Sequence, residues 1–96
     1  MPTPYQALIY DYVENALEAR APHREAHLAL VKRYVEEGHI HMAGALGDPP
    51  SGGLLVFTGD DPSHAERFAS EDPYVENGVV TAWRVEPWTV VTEAAP

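Results

Sequence analysis

Residues 5–12 read YQALIYDY. Both alternating faces of this run carry apolar or aromatic groups, with Ala7 and Ile9 on one and Leu8, Tyr10 and Tyr12 on the other. That pattern predicts a strand buried on two sides. Residues 13–21 show no clear period and read as a connection. Pro22 suits the first position of a helix, and Leu28, Val31 and Val35 then fall at i, i+3 and i+7, an amphipathic stripe. Gly38 stands where a helix commonly ends, so the helix is predicted over residues 22–37. Residues 39–45 (HIHMAGA) alternate weakly, as a strand. GDPPSGG at 47–53 signals a loop, and LLVFT at 54–58 a short buried strand. Asp61-Pro62-Ser63 opens a second helix, with Ser63 and Glu66 at capping-box spacing, ending near Ser70. Asp72-Pro73-Tyr74 predicts a tight turn or a single helical turn, closed by Asn77-Gly78. Residues 79–85 form the last strand, which Pro87 is expected to interrupt or bend before residues 88–92.

The resulting order is β-α-β-β-α-β, the ferredoxin-like split βαβ unit. It predicts an α+β fold: a four-stranded antiparallel sheet with two helices on one face. Because the first and third strands are apolar on both faces, the second sheet face also needs a cover. Two sheets facing one another in a symmetric homodimer would supply it. A length of 96 residues fits one domain spanning 1–96.

Charge narrows the choice of partners. Fifteen acidic residues outnumber six basic ones, for a net charge of −9. Nucleic-acid binding relies on clustered Lys and Arg, whereas Arg20, Arg24, Lys32, Arg33, Arg67 and Arg84 are scattered. Anionic membrane surfaces are disfavoured for the same reason. The absence of cysteine excludes disulfides and thiolate chemistry and fits a cytoplasmic location. Residues 1–12 lack a basic region followed by a long apolar run, so no signal peptide is expected.

Few residues carry chemistry. His27 sits at the edge of the helical stripe, beside Arg24, Leu28 and Val31. An imidazole there suits general acid–base work near neutral pH; it equally fits a boundary histidine held by one hydrogen bond. Asp72 precedes Pro73, which is an ordinary helix start; its carboxylate could also orient an imidazole. His23 and His27 are spaced i, i+4, and His39 and His41 share a strand face, so four imidazoles could approach a metal. However, H-R-E-A-H is not the H-E-x-x-H of metalloproteases, and solvated histidines with no metal are the preferred reading. Gly52-Gly53 matches no nucleotide-binding fingerprint. Tyr34, Tyr74, Trp83 and Trp88 suit a core, although an aromatic lining would also suit a small planar ligand.

Taken together, these blocks resemble the YCII-related (YciI-like) family over nearly the whole chain. Arg24-Glu25-Ala26-His27-Leu28 matches R-x-x-H-L. Glu37-Gly38 followed by Ala43-Gly44 matches the helix end and the next strand. Asp72-Pro73-Tyr74-Val75 with Gly78 matches D-P-Y-V-x-x-G, and Val85-Glu86-Pro87-Trp88 matches the V-x-P-W close. One departure is Gly44-Ala45, where the family commonly has Gly-Pro at the turn after the second strand.

The resemblance implies a dimeric α+β barrel and a pocket lined by a His27–Asp72 pair with Arg24 beside it. One branch of the family removes chloride from a hydroxylated ring compound. Two functions are therefore expected. The first is an enzyme needing no cofactor, of lyase, isomerase or hydrolase type, acting on a small cyclic or aromatic compound. In it His27 and Asp72 are catalytic, and Arg24 and Tyr74 bind substrate. The second is a non-catalytic module that binds a metabolite in the same pocket or serves in assembly.

Overall fold

The computed structural model describes residues 2–94. Strand β1 (Thr3–Tyr12) leads into helix α1 (Ala16–Arg20), a 3-10 turn (Ala21–His23) and helix α2 (Arg24–Glu36). Strands β2 (Ile40–Leu46) and β3 (Gly52–Thr58) follow, then α3 (Ser63–Glu71), α4 (Pro73–Glu76) and β4 (Val80–Val90). The four strands form one antiparallel sheet in the order β2-β3-β1-β4, so the predicted α+β architecture holds. Strand β1, read as buried on both sides, lies at the centre between β3 and β4.

In a strand, alternate residues share a face. On one face of β1, Leu8 and Tyr10 join Leu55 and Phe57 of β3 in the core beneath α2, α3 and α4. There Tyr34 and Phe68 meet edge to face, with ring centres 5.1 Å apart, and both also touch Phe57. The opposite face carries Ala7, Ile9, Leu54 and Val56 with no helix over it. Met42, Leu46 and Trp88 stay 57%, 45% and 45% exposed.

Helix α2 departs from its predicted register. Leu28 and Val35, assigned to the buried stripe, are 45% and 48% exposed. The buried residues are His27 and Tyr34, two turns apart on one side of the helix, with Leu30 and Val31 half-buried between them. A tyrosine ring buries more area than a valine and gains edge-to-face contacts, so Tyr34 sets the rotation of the helix and carries His27 inward with it. The helix closes as expected on Gly38, at φ 84°. The His39 N–H donates to the Tyr34 carbonyl at 2.9 Å and the Gly38 N–H to the Val35 carbonyl at 3.0 Å, a Schellman motif that turns the chain into β2.

Other expectations also change. The connection over residues 13–21 contains α1, entered through Asn15 at φ 52°, a conformation asparagine tolerates. Ser63 forms no capping box with Glu66; instead Asp61 accepts the Ser63 N–H at 2.9 Å. That bond holds the Asp61 carboxyl below its usual range. Pro87 does not break β4, which continues to Val90 with Pro87 opposite Gln6. Because β4 is an edge strand, the missing proline N–H leaves no central ladder unfilled. Gly44-Ala45 lies within β2, paired with Leu54 and Gly53, rather than in the turn after it. Trp83 and Trp88, expected in the core, are 41% and 45% exposed. Among the described residues no helix is long and apolar enough to cross a membrane.

Gly52 has a packing role. A Cβ there would collide with the Tyr10 carbonyl oxygen, which belongs to the backbone of the neighbouring strand and cannot step aside alone. Gly52→Ala should lower the unfolding free energy by about 1–3 kcal/mol, the usual cost of overpacking, as measured by urea denaturation. An unchanged midpoint would show that β1 and β3 do not approach this closely.

Candidate active site

The site begins with a break in a helix. Proline disfavours helical backbone in the residue before it, and Asp72, ahead of Pro73, is extended at φ −73° and ψ 121°. Helix α3 therefore ends at Glu71 and α4 starts at once in a new direction. As the N-cap of α4, Asp72 accepts the Tyr74 N–H through Oδ1 at 3.0 Å. The same oxygen lies 2.8 Å from His27 Nδ1, and Oδ2 accepts the Tyr10 hydroxyl proton at 2.8 Å. Asp72 is completely buried. One carboxylate thus joins the central strand, the long helix and the α3–α4 junction.

Magnitudes show why all three partners matter. Burying a carboxylate costs several kcal/mol even after relaxation. Hydrogen bonds to charged groups contribute about 1.5–3 kcal/mol each, so three of them roughly offset that cost and one would not. Burial, followed by the charge of Asp72 and the bond to it, pushes the Tyr10 phenol well above its ordinary range. The phenol therefore stays protonated and acts as a donor.

His27 is held by shape as well as by that bond. Its ring stacks on Tyr74 with centres 3.8 Å apart and planes 2° from parallel, and Phe68 meets it edge-on at 6.3 Å. Below it, Tyr34 donates to Glu71 at 2.6 Å, next to Asp72 in the chain. Helix α2 is thus fastened at two points to the α3–α4 junction. With Nδ1 on Asp72, Nε2 is the nitrogen left to face outward.

His27 lines a cavity of about 280 Å³. Leu28, Val31, Ala43 and Leu55 form an apolar side, and Tyr12, Arg20, Arg24, His27 and Tyr74 a polar one. Leu28 is exposed because it looks into this opening. All four residues singled out in the sequence meet here: Asp72 beneath, His27 on the floor, and Arg24 and Tyr74 in the wall. The other histidines lie elsewhere. His39 stacks on His64 at 3.7 Å, and His41 pairs with Glu93 at 3.3 Å.

Three residues of the site escaped the sequence reading. Tyr10 and Tyr12 share the inner face of β1, a signal that was visible in the alternation. Arg20 belongs to α1, in the segment read only as a connection. Burial, then the neighbouring Tyr74 phenol, keeps the Tyr12 hydroxyl above the ordinary tyrosine range, and Arg20 and Arg24 act in the opposite sense.

The family model for the YCII-related domain matches residues 4–89. An uncharacterized protein of Haemophilus influenzae is 32% identical over 96 residues, covering 91% of this chain and 98% of that protein. Among solved structures, the chain is similar to 5-chloro-2-hydroxyhydroquinone dehydrochlorinase (TftG) from Burkholderia phenoliruptrix AC1100, in complex with 2,5-dihydroxybenzoquinone. The TM-score is 0.71 at 21% identity, over 88% of this chain and 92% of that one. At this identity the likeness is one of fold.

Buried Tyr10 has a consequence at high pH. The unfolded chain releases its phenol proton near the usual value of about 10, whereas the folded chain holds it. Above that value the unfolded state binds fewer protons, so stability falls as pH rises. The contribution is fully present below the unfolded value and is lost as pH climbs toward the folded one. Tyrosinate absorbance from Tyr10, read as wild type minus Tyr10→Phe, should appear together with loss of near-ultraviolet circular dichroism. Reversible ionisation of Tyr10 in the folded protein would contradict its place beneath Asp72.

Proposed function

Since the chain belongs to the YCII-related domain family, we propose that it is a small-molecule enzyme in which His27 is the general acid–base group and Asp72 its orienting partner. The observation that carries this reading is the 2.8 Å contact between His27 Nδ1 and Asp72 Oδ1 on the floor of an open cavity. An imidazole whose Nδ1–H is engaged by a carboxylate keeps its lone pair on Nε2. There it can accept a proton from a substrate O–H or activated C–H. The electron pair left behind expels an anionic leaving group or moves to a new position on the substrate, and the imidazolium returns its proton to product or solvent. The Tyr74 face lies flat against the imidazole and fixes the plane of its ring. These steps require no cofactor, so lyase, isomerase or hydrolase chemistry suits the residues.

Size and lining favour a small cyclic or aromatic substrate. An apolar cavity of about 150 Å³ accommodates benzene, so 280 Å³ has room for one substituted six-membered ring. Arg24 and Tyr74 are assigned to substrate binding. That the dehydrochlorinase of similar fold acts on a chlorinated, hydroxylated ring supports starting the search for substrates among halogenated and hydroxylated ring compounds. His27→Gln should lower kcat on any substrate so found by about 10²- to 10⁴-fold, the usual share of general acid–base catalysis, while the protein stays folded by circular dichroism. Full turnover in that variant would remove His27 from the reaction. Binding without turnover in the wild type would favour a metabolite-binding module.

The same reading includes a homodimer. The uncovered sheet face, with Ile9, Leu54, Met42 and Trp88, is the apolar surface a two-fold partner would bury. Sedimentation at micromolar concentration should give twice the mass of one chain. Replacing Met42 and Leu46 by Lys should give the monomer. A wild-type monomer under these conditions would overturn the pairing.

A further inference from the structure

The polar wall of the cavity holds more cationic and donor capacity than the acid–base pair uses. Arg20 and Arg24 both line it. In a chain with fifteen acidic residues, neither forms an ion pair with a carboxylate among the described residues. Arginines elsewhere are engaged: Arg33 with Glu71 at 3.2 Å, Arg84 with Glu86 at 3.1 Å, and Arg67 with the Tyr34 hydroxyl at 3.2 Å. Beside the two free guanidinium groups is the Tyr12 hydroxyl, close enough to feel both charges. Tyr12 meets the Tyr74 ring edge to face, with centres 6.2 Å apart. The Tyr74 hydroxyl is fully buried, so the donors the cavity offers beside His27 come from Arg20, Arg24 and Tyr12.

We infer that Arg20, Arg24 and Tyr12 form a carboxylate-binding subsite, and that the substrate is a small ring compound bearing a carboxylate. This rests on the acid–base reading only for the identity of the cavity as the substrate site. A carboxylate offers about four lone-pair sites to donors, and each guanidinium carries five N–H groups in a planar fork, so these side chains supply donors enough to fill them. Arginine is favoured where a carboxylate is held by two parallel bonds, and a phenolic hydroxyl completes the set without adding charge. The apolar side formed by Leu28, Val31 and Leu55 takes the ring, and the reacting atom then lies over His27. Arg20 is the specificity-determining member. Arg24 lies beside His27 at the start of α2, whereas Arg20 reaches the cavity from α1.

The test uses two probes of the same shape, benzoate and benzamide, titrated by isothermal calorimetry or amide-proton NMR against the full-length protein at low salt. Benzoate should bind roughly tenfold or more tightly than benzamide, as expected for charge-assisted over neutral hydrogen bonds. Its affinity should fall as salt is added. Arg20→Gln should remove most of that preference, and Arg33→Gln, on the surface against Glu71, should leave it intact. His27→Gln should keep the preference while losing turnover, which separates this subsite from the acid–base assignment. Equal binding of both probes, failure of benzoate to bind up to its solubility, or a preference that survives in Arg20→Gln would each overturn the inference.

Discussion

The buried carboxylate of Asp72 is the constraint around which the rest of this structure is arranged. A charge taken out of water is tolerated only where donors converge on it, and here they come from three separate elements: the Tyr10 hydroxyl from β1, the His27 imidazole from α2 and the Tyr74 N–H from α4. The backbone explains why the carboxylate points inward. Pro73 forces the preceding residue out of helical geometry, and the N-cap role then fixes the side chain against the first turn of α4. Capping and the contact with His27 are therefore one arrangement. The bond that starts the short helix also immobilises the carboxylate that orients the imidazole.

The packing around His27 follows from this constraint. Its ring is clamped between a stacked Tyr74 and an edge-on Phe68. Phe68 belongs to the same aromatic group as Tyr34 and Phe57. The catalytic candidate is thus an extension of the hydrophobic core, and its position inherits the rigidity of that core. Arg20 and Arg24 occupy the more exposed rim. A rigid floor beneath an adaptable rim suits a site in which one nitrogen must be placed accurately.

The two faces of the sheet divide the work. The inner face builds the site, while the outer face offers a largely apolar surface bordered by the Arg84–Glu86 and His41–Glu93 pairs. Strand β1 contributes to both: Tyr10 and Tyr12 face the cavity side, and Ala7 and Ile9 the open side. A change in the register of β1 by one residue would exchange these faces. Gly52, which lets β3 approach the Tyr10 carbonyl closely, therefore helps hold the floor of the site in place.

Local chemistry along the chain was enough for the element order, the sheet class and the Asp72 cap, because alternation, proline and glycine act over a few residues. It was also enough to single out His27, Asp72, Arg24 and Tyr74, through motif blocks whose spacing is local. The rotation of α2 was not legible. Leu28, Val31 and Val35 formed a plausible stripe, but the side that is buried depends on where Tyr34 finds Phe57 and Phe68, which are distant in sequence. Continuity of β4 through Pro87 was likewise decided by the strand's place at the sheet edge, where no neighbour needs the missing N–H. Arg20 and Tyr12 entered the cavity only because α1 and β1 come together in space. The sequence by itself determined which residues could carry charge, turns and periodicity. The tertiary structure alone decided which of them share a low-dielectric pocket, since burial and convergence are properties of contacts between segments far apart in the chain.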